Sequence, residues 1–257
     1  MAQPKGAAFR FYAELNGHLG PRQRYQTLEK SFYISASVKD MIEGFGVPHT
    51  EVDLIVANGQ PVDFSYQVQD SDRIAVYPVF ESFDISGAQR LRPQPLRNPR
   101  FILDVHLGRL AAYLRMLGFD SVYERSRDDA ILARISADEH RILLTRDRGL
   151  LKHGAVTHGY WVRETNSRRQ IGEVMDRFSL AAAARPFTRC MACNGVLKPV
   201  SKDEARSAVP ERALDHYDEF RRCSQCVRIF WKGSHYARMQ RWIAELTGPN
   251  SRPIDER

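Results

Sequence analysis

The feature that most constrains this chain is a pair of Cys-x-x-Cys steps, Cys190-Met-Ala-Cys193 and Cys223-Ser-Gln-Cys226, which together use all four of its cysteines. Each step places two sulfurs on one tight knuckle, and two knuckles facing each other complete a tetrahedral S₄ site suited to Zn²⁺. In a reducing compartment such spacing argues for metal before disulfide, and a redox Cys-x-x-Cys would explain one pair while leaving the other idle. The 29 residues between the pairs exceed the usual ribbon spacing, which predicts an inserted helix over Lys202 to Ala213. So small a segment buries too little apolar surface to fold unaided, so zinc is expected to hold residues 185–246 together. Four protein ligands leave that zinc no open position, which makes it structural and not catalytic.

Charge separates the chain into unlike parts. Residues 1–80 carry 7 Lys/Arg against 9 Asp/Glu, and residues 81–257 carry 31 against 22, so the net +7 resides in the later part. Around the cysteines, Arg185, Arg189, Lys198, Arg221, Arg222, Arg228, Lys232, Arg238 and Arg241 are interleaved with Phe187, Phe230, Trp231, Tyr236 and Trp242. Basic side chains contact phosphates and aromatic rings stack on unpaired bases, so the tract suits RNA, with Phe230 and Trp231 as alternative ribbon core. The first nine residues lack the apolar core of a signal peptide, and no stretch approaches the roughly 20 apolar residues of a membrane helix. The expectation is a cytoplasmic protein with no membrane partner.

Residues 1–83 read as one mixed unit: strands at Ala7–Ala13 and Leu28–Ile34, a helix opened by Ser37, and strands at Val52–Ala57 and Arg73–Val79, with an Asn58-Gly59 turn between the last two. That order resembles a ubiquitin-like β-grasp unit of the sulfur-carrier branch. The free Gly-Gly end of those carriers is absent here, because Ser86-Gly87 lies inside a continuing chain, so docking of a partner protein is the expected role. Residues 84–99 hold Pro93, Pro95 and Pro99 with Arg90, Arg92 and Arg97, followed by Arg100, and read as a linker. A tail is expected at 247–257.

From residue 100 to 184 strand and helix alternate. Phe101–Leu103 is a short apolar strand; Leu107, Leu110, Ala111, Leu114 and Leu117 recur on one helical face; Ser121–Tyr123 is a strand; a helix opens at Asp129; Arg141–Thr145 is a strand; a further strand lies near Gly159–Val162 and a helix near Gln170–Leu180. Such alternation predicts an α/β fold with a parallel sheet and helices on both faces, binding ligands beyond the carboxyl ends of its strands. Asp104 and Asp147 stand at those ends, and Asp128 and Asp129 at a helix start. Each alone suits a cap or a turn. Together they form a constellation that only a cation would stabilise, and hard oxygen ligands select Mg²⁺ or Mn²⁺. His106 and Arg109 lie near the start of the first helix, where a phosphate could sit.

Phe101-Ile-Leu-Asp104, Asp129-Ala-Ile-Leu-Ala133 and Ile142-Leu-Leu-Thr-Arg-Asp147 resemble the acidic tracts of PIN-domain ribonucleases. Leu107 to Asp120, Leu144-Thr-Arg-Asp-Arg-Gly-Leu150 and the two cysteine pairs resemble more closely the family named after the Mut-seven C-terminal ribonuclease domain, in which a reduced PIN-like core precedes a zinc ribbon and often follows a ubiquitin-like unit. The resemblance covers nearly the whole chain. It implies an Mg²⁺- or Mn²⁺-dependent ribonuclease, with structured RNA such as tRNA among its substrates. Asp104, Asp129 and Asp147 become catalytic metal ligands, Asp128 a secondary one, and Thr145 the residue orienting Asp147. His106, Arg109, Arg115, Arg146 and Arg148 become substrate contacts. The acid that full-length PIN enzymes carry on an early helix has no counterpart between Val105 and Phe119. Two rival readings follow: a non-catalytic RNA-binding adaptor, favoured by that missing acid, and a sulfur-transfer accessory factor, suggested by the N-terminal unit alone.

Overall fold

The computed structural model describes residues 3–78, 99–123 and 128–248. These divide into two compact units, one of residues 3–78 with Asp147–Trp161, the other of residues 99–146 and 162–248. The expected linker at 84–99 and tail at 247–257 lie almost wholly outside the described residues.

The first unit contains β1 (Lys5–Phe11), β2 (Thr27–Phe32), α1 (Val38–Gly44), β3 (Val52–Ala57), β4 (Gln60–Val62) and β5 (Arg73–Pro78). Its sheet runs β2-β1-β5-β3-β4, with β1 and β5 parallel and the other neighbours antiparallel. Strand alternation buries Ala7, Phe9 and Phe11 of β1 beside Ile74 and Val76 of β5, and α1 adds Val38, Met41 and Ile42 to the same core. Ser37 caps α1 by accepting from the Asp40 N–H. Asn58 and Gly59, with φ of 50° and 85°, make the β3–β4 turn that the Asn-Gly pair predicts. This is the β-grasp arrangement expected. A 3₁₀ turn at Ala13–His18 was not anticipated; its Asn16 is buried and donates to the Phe11 and Ala13 carbonyls.

The second unit opens with β6 (Phe101–Leu103), α2 (Gly108–Met116), β7 (Ser121–Tyr123), α3 (Asp129–Asp138) and β8 (Ile142–Thr145). β6 lies between β7 and β8, parallel to both, with Phe101 opposite Ser121 and Ile142. Next come α4 (Arg148–Leu151) and β9 (Gly159–Trp161), which belong with the first unit, and then α5 (Ser167–Arg177). β6 and β8 are buried on both faces, and α2, α3 and α5 supply Leu110, Leu114, Leu132, Ala133, Ile171 and Val174 to the core. Gly118 ends α2 at φ 94°, and a Cβ there would stand 2.1 Å from the Arg185 carbonyl oxygen; no other residue fits.

The ribbon comprises β10 (Leu197–Val200), α6 (Lys202–Ala205), α7 (Glu211–His216), β11 (Phe220–Cys223), β12 (Ile229–Trp231) and α8 (Tyr236–Thr247). Its strands form the antiparallel order β10-β11-β12. The single helix expected over Lys202 to Ala213 is two short ones. Ser201 and Glu204 form a capping box for α6, and Pro210 stands at the head of α7 because its ring cannot continue a helix. Ala205, Val209, Leu214 and Phe220 form a small core, with Trp231 packed against it.

Candidate metal centre and active site

The ends of β11 and of the loop before β10 bring the two knuckles together. Cys190, Cys193, Cys223 and Cys226 present sulfurs that all lie within 4.8 Å of one another. Cys190 Sγ is 3.7 Å from Cys226 Sγ, and Cys193 Sγ is 3.3 Å from Cys223 Sγ. A tetrahedral site with Zn–S near 2.3 Å needs sulfurs about 3.8 Å apart, so the cysteines stand near ligating distance. Each knuckle turns through a left-handed residue just after its second cysteine, Asn194 at φ 72° and Val227 at φ 54°. Gly195 leaves room for Cys223, whose Sγ would be 2.6 Å from a Cβ at that position. Burial pushes the Cys190 thiol up to about 12, so a metal must displace protons to enter.

Two side chains tie this centre to the sheet. Arg115 of α2 is buried, and its guanidinium donates to the carbonyls of Ser121 (2.8 Å), Met191 (3.2 Å) and Ala192 (2.9 Å). It grips the two residues between the cysteines of the first knuckle. Burial lowers its pKa, and the nearby Cys193, Cys190 and Asp120 act in the opposite sense. Arg115, expected as a substrate contact, thus braces the first cysteine knuckle through these carbonyl bonds. Asp120 accepts from Arg141 (2.8 Å) and Asn194 (2.7 Å) through Oδ1 and from Arg189 (3.2 Å) through Oδ2. Burial pushes its carboxyl up, but these hydrogen bonds and charges outweigh burial and hold it below the usual range. Sequence reasoning did not single out Asp120; the signal available was an acid followed by a strand, with an asparagine directly after Cys193.

At the end of β6, Asp104 is buried, and three donors fix its carboxylate. The His106 N–H (2.8 Å) reaches Oδ1; the Arg146 N–H (3.0 Å) and the Thr145 hydroxyl reach Oδ2. The Thr145 hydroxyl, expected to orient Asp147, donates its proton to Asp104. A carboxylate offers about four lone-pair sites, which leaves Asp104 capacity for a cation. Asp128 is the extended residue before α3, Asp129 opens that helix, and both are exposed. Asp147 is exposed, falls in the first unit and accepts from the Gly149 N–H (2.7 Å), which caps α4.

The expected substrate contacts divide. His106 and Arg109 are exposed at the start of α2. Arg146 instead donates to the carbonyls of Val162, Arg163 and Glu164, so its side chain fastens the chain after β9. Arg148 donates to the His18 carbonyl (3.2 Å) and lies 5.0 Å over the Trp161 ring. Both contacts lie within the first unit, and Arg148 itself is exposed. Trp242 packs edge-on against Tyr113 with Arg168 over its face, and Phe230 packs against the cysteine cluster. The ribbon-core alternative therefore holds for Phe230, as it does for Trp231.

A parallel sheet with acids at its strand ends, a four-cysteine ribbon and a leading β-grasp unit define a multidomain α/β protein with a metal-site module. The chain belongs to the Mut7-C RNAse domain family, whose model matches residues 99–243; the Mut7-C ubiquitin model matches residues 4–84. No curated protein and no solved structure matches it. Family and domain order agree with the resemblance drawn from the sequence, and the match makes this a protein with a ribonuclease-family domain. Among the described residues no helix is long and apolar enough to cross a membrane.

Proposed function

We propose that residues 99–248 act as a PIN-like ribonuclease that hydrolyses RNA phosphodiester bonds with Mg²⁺ or Mn²⁺ held by Asp104, Asp129 and Asp147, and with Asp128 close at hand. The observation that carries this reading is the direction of the strands. β6, β7 and β8 are parallel, so the chain leaves all three at one edge. Asp104 directly follows β6, Asp128 and Asp129 follow β7, and Asp147 stands two residues beyond β8 in sequence. In open parallel sheets that edge is where ligands bind.

Carboxylates brought together at that edge would repel by about 4 kcal/mol for a pair 4 Å apart at an effective dielectric near 20, a cost that a hard divalent cation offsets. When bound, such an ion supplies an acidified water and charge stabilisation for the phosphoryl group. Asp104 contributes a carboxylate already oriented by three donors. His106 and Arg109, exposed beside the N-terminus of α2, supply positive charge and donors to a phosphate. The four cysteines hold a structural Zn²⁺, and Lys198, Arg228 and Arg241 give the ribbon its basic surface for RNA. The test is metal rescue: zinc-loaded, Mg²⁺-free protein should cleave a labelled structured RNA when Mn²⁺ is added and stop when it is chelated. Cleavage unaffected by divalent ions would overturn the reading.

A further inference from the structure

Helices α2, α5 and α8 of the second unit meet around an aromatic pair that the proposed chemistry leaves unused. Trp242 of α8 and Tyr113 of α2 have ring centroids 4.7 Å apart and planes at 81°, and the Arg168 guanidinium, from the first turn of α5, stands 5.4 Å over the Trp242 ring. Ile243 and Leu246 seat α8 in the core, whereas Trp242 and Tyr113 are only half-buried and Arg168 is exposed. Arg109 lies one turn before Tyr113 on the same face of α2, and it too is exposed, as is Arg241 beside Trp242. Among the described residues, Arg109, Arg168 and Arg241 form no ion pair with a carboxylate. Nearby acids are few: α2 has none, the first turn of α5 has none, and α8 holds Glu245 against Arg238 and Arg241.

Exposed guanidiniums without counter-charges suit an anionic ligand, and the two rings narrow its chemistry. A guanidinium drawn over an indole presents its other face to a planar group, and unpaired bases stack on arginine planes as well as on aromatic rings. A duplex, whose bases are already stacked, offers such a site its phosphates alone. From Tyr113, α2 leads back through Arg109 to Asp104, whose Oδ1 accepts from the His106 N–H (2.8 Å).

We propose that Arg168, Trp242 and Tyr113, with Arg109 and Arg241, form a docking site for an unpaired stretch of the RNA substrate. A base stacks on the Arg168–Trp242 pair while the other arginines engage phosphates. The choice of RNA as the polyanion rests on the ribonuclease reading above. The site makes RNA with a single-stranded flank the preferred substrate over blunt duplex.

The test measures binding apart from cleavage. The full zinc-loaded chain is titrated against a labelled RNA hairpin, either blunt or with an unpaired flank of about eight nucleotides, in buffer free of Mg²⁺ and Mn²⁺. Wild type should bind the flanked hairpin about ten- to a hundred-fold more tightly. Arg168→Gln and Trp242→Ala should each remove most of that preference. Arg168→Gln also loses a charge, so the slope of log Kd against log salt for flanked RNA should fall by about 0.7. Arg168→Lys keeps the charge and the slope but loses the planar stack, so its flank preference should fall alone. Arg168 is exposed, so its variants report even if Trp242→Ala fails to fold. Equal binding of the two hairpins by wild type, or a flank preference untouched in both Arg168 variants, would overturn the proposal. Equally tight binding of a poly-glutamate peptide would overturn it too, by making the patch a site for acidic protein. A chain that prefers flanked RNA through these residues yet cleaves none with Mn²⁺ fails the nuclease reading and upholds this site; an active nuclease indifferent to the flank fails this inference alone.

Discussion

Replacing Asp120 by alanine removes the half-buried carboxylate that joins ribbon to sheet. Three donors converge on it, from Arg141, Asn194 and Arg189. The Arg141 side chain is 7% exposed and that of Asp120 is 20% exposed, so the substitution leaves a buried guanidinium with Glu139 (2.7 Å) as its other anionic partner. A hydrogen bond to a charged group contributes about 1.5–3 kcal/mol, and stripping one partner from a buried ion pair costs about 3–5 kcal/mol. Glu139 stays in place and the three bonds act as one network, so about 3 kcal/mol is expected and not their sum. Urea unfolding of the zinc-loaded chain, followed by tryptophan fluorescence, should show a lower midpoint at unchanged slope. The pH dependence has a definite sign. A carboxyl held below its ordinary value stabilises the fold fully above its unfolded pKa, about 3.9, and loses that contribution as pH falls through the lower folded value. The gap between wild type and Asp120→Ala should thus be constant from pH 7 to about 4 and shrink below that. A gap under about 1 kcal/mol at neutral pH, or one still undiminished at pH 3, would refute the network.

Three further outcomes follow from individual residues. Val227 is β-branched, 67% exposed and at φ 54°, so Val227→Gly should stabilise the ribbon by about 1 kcal/mol in thermal melts; destabilisation would contradict the strain. Gly118→Ala places a Cβ 2.1 Å from the Arg185 oxygen and should cost about 3 kcal/mol or more in the same assay, whereas a neutral change would show that the 185 loop yields freely. Arg115→Met should weaken zinc about ten- to a hundred-fold in chelator competition without altering KM for RNA; the reverse pattern would restore Arg115 as a substrate contact.

Much of this fold was legible because it rests on local rules. The Ser37 cap, the Asn58-Gly59 turn, the leucine face of α2 and the paired knuckles each follow from residues close in sequence. Strand alternation likewise marked Val52–Ala57 at its observed limits. What escaped depends on burial. Arg115 and Arg109 are indistinguishable as basic residues on one helix, and only packing shows that the first is spent on carbonyls while the second faces water. Glu51 and His18 read as ordinary polar residues in short turns, yet both are buried and hold the segment after Asp147. Thr145 was assigned to the nearer acid in sequence, but the parallel register of β6 and β8 sets it beside Asp104.

The most direct test of the central claim is Mn²⁺-dependent cleavage of a labelled structured RNA by wild type, Asp104→Asn and Asp147→Asn, each carrying one zinc per chain. Wild-type activity that rises with Mn²⁺ and falls by at least about a hundred-fold in both variants, each still showing a cooperative unfolding transition, is the expected result. Equal residual cleavage in wild type and variants would contradict a metal site built on these aspartates.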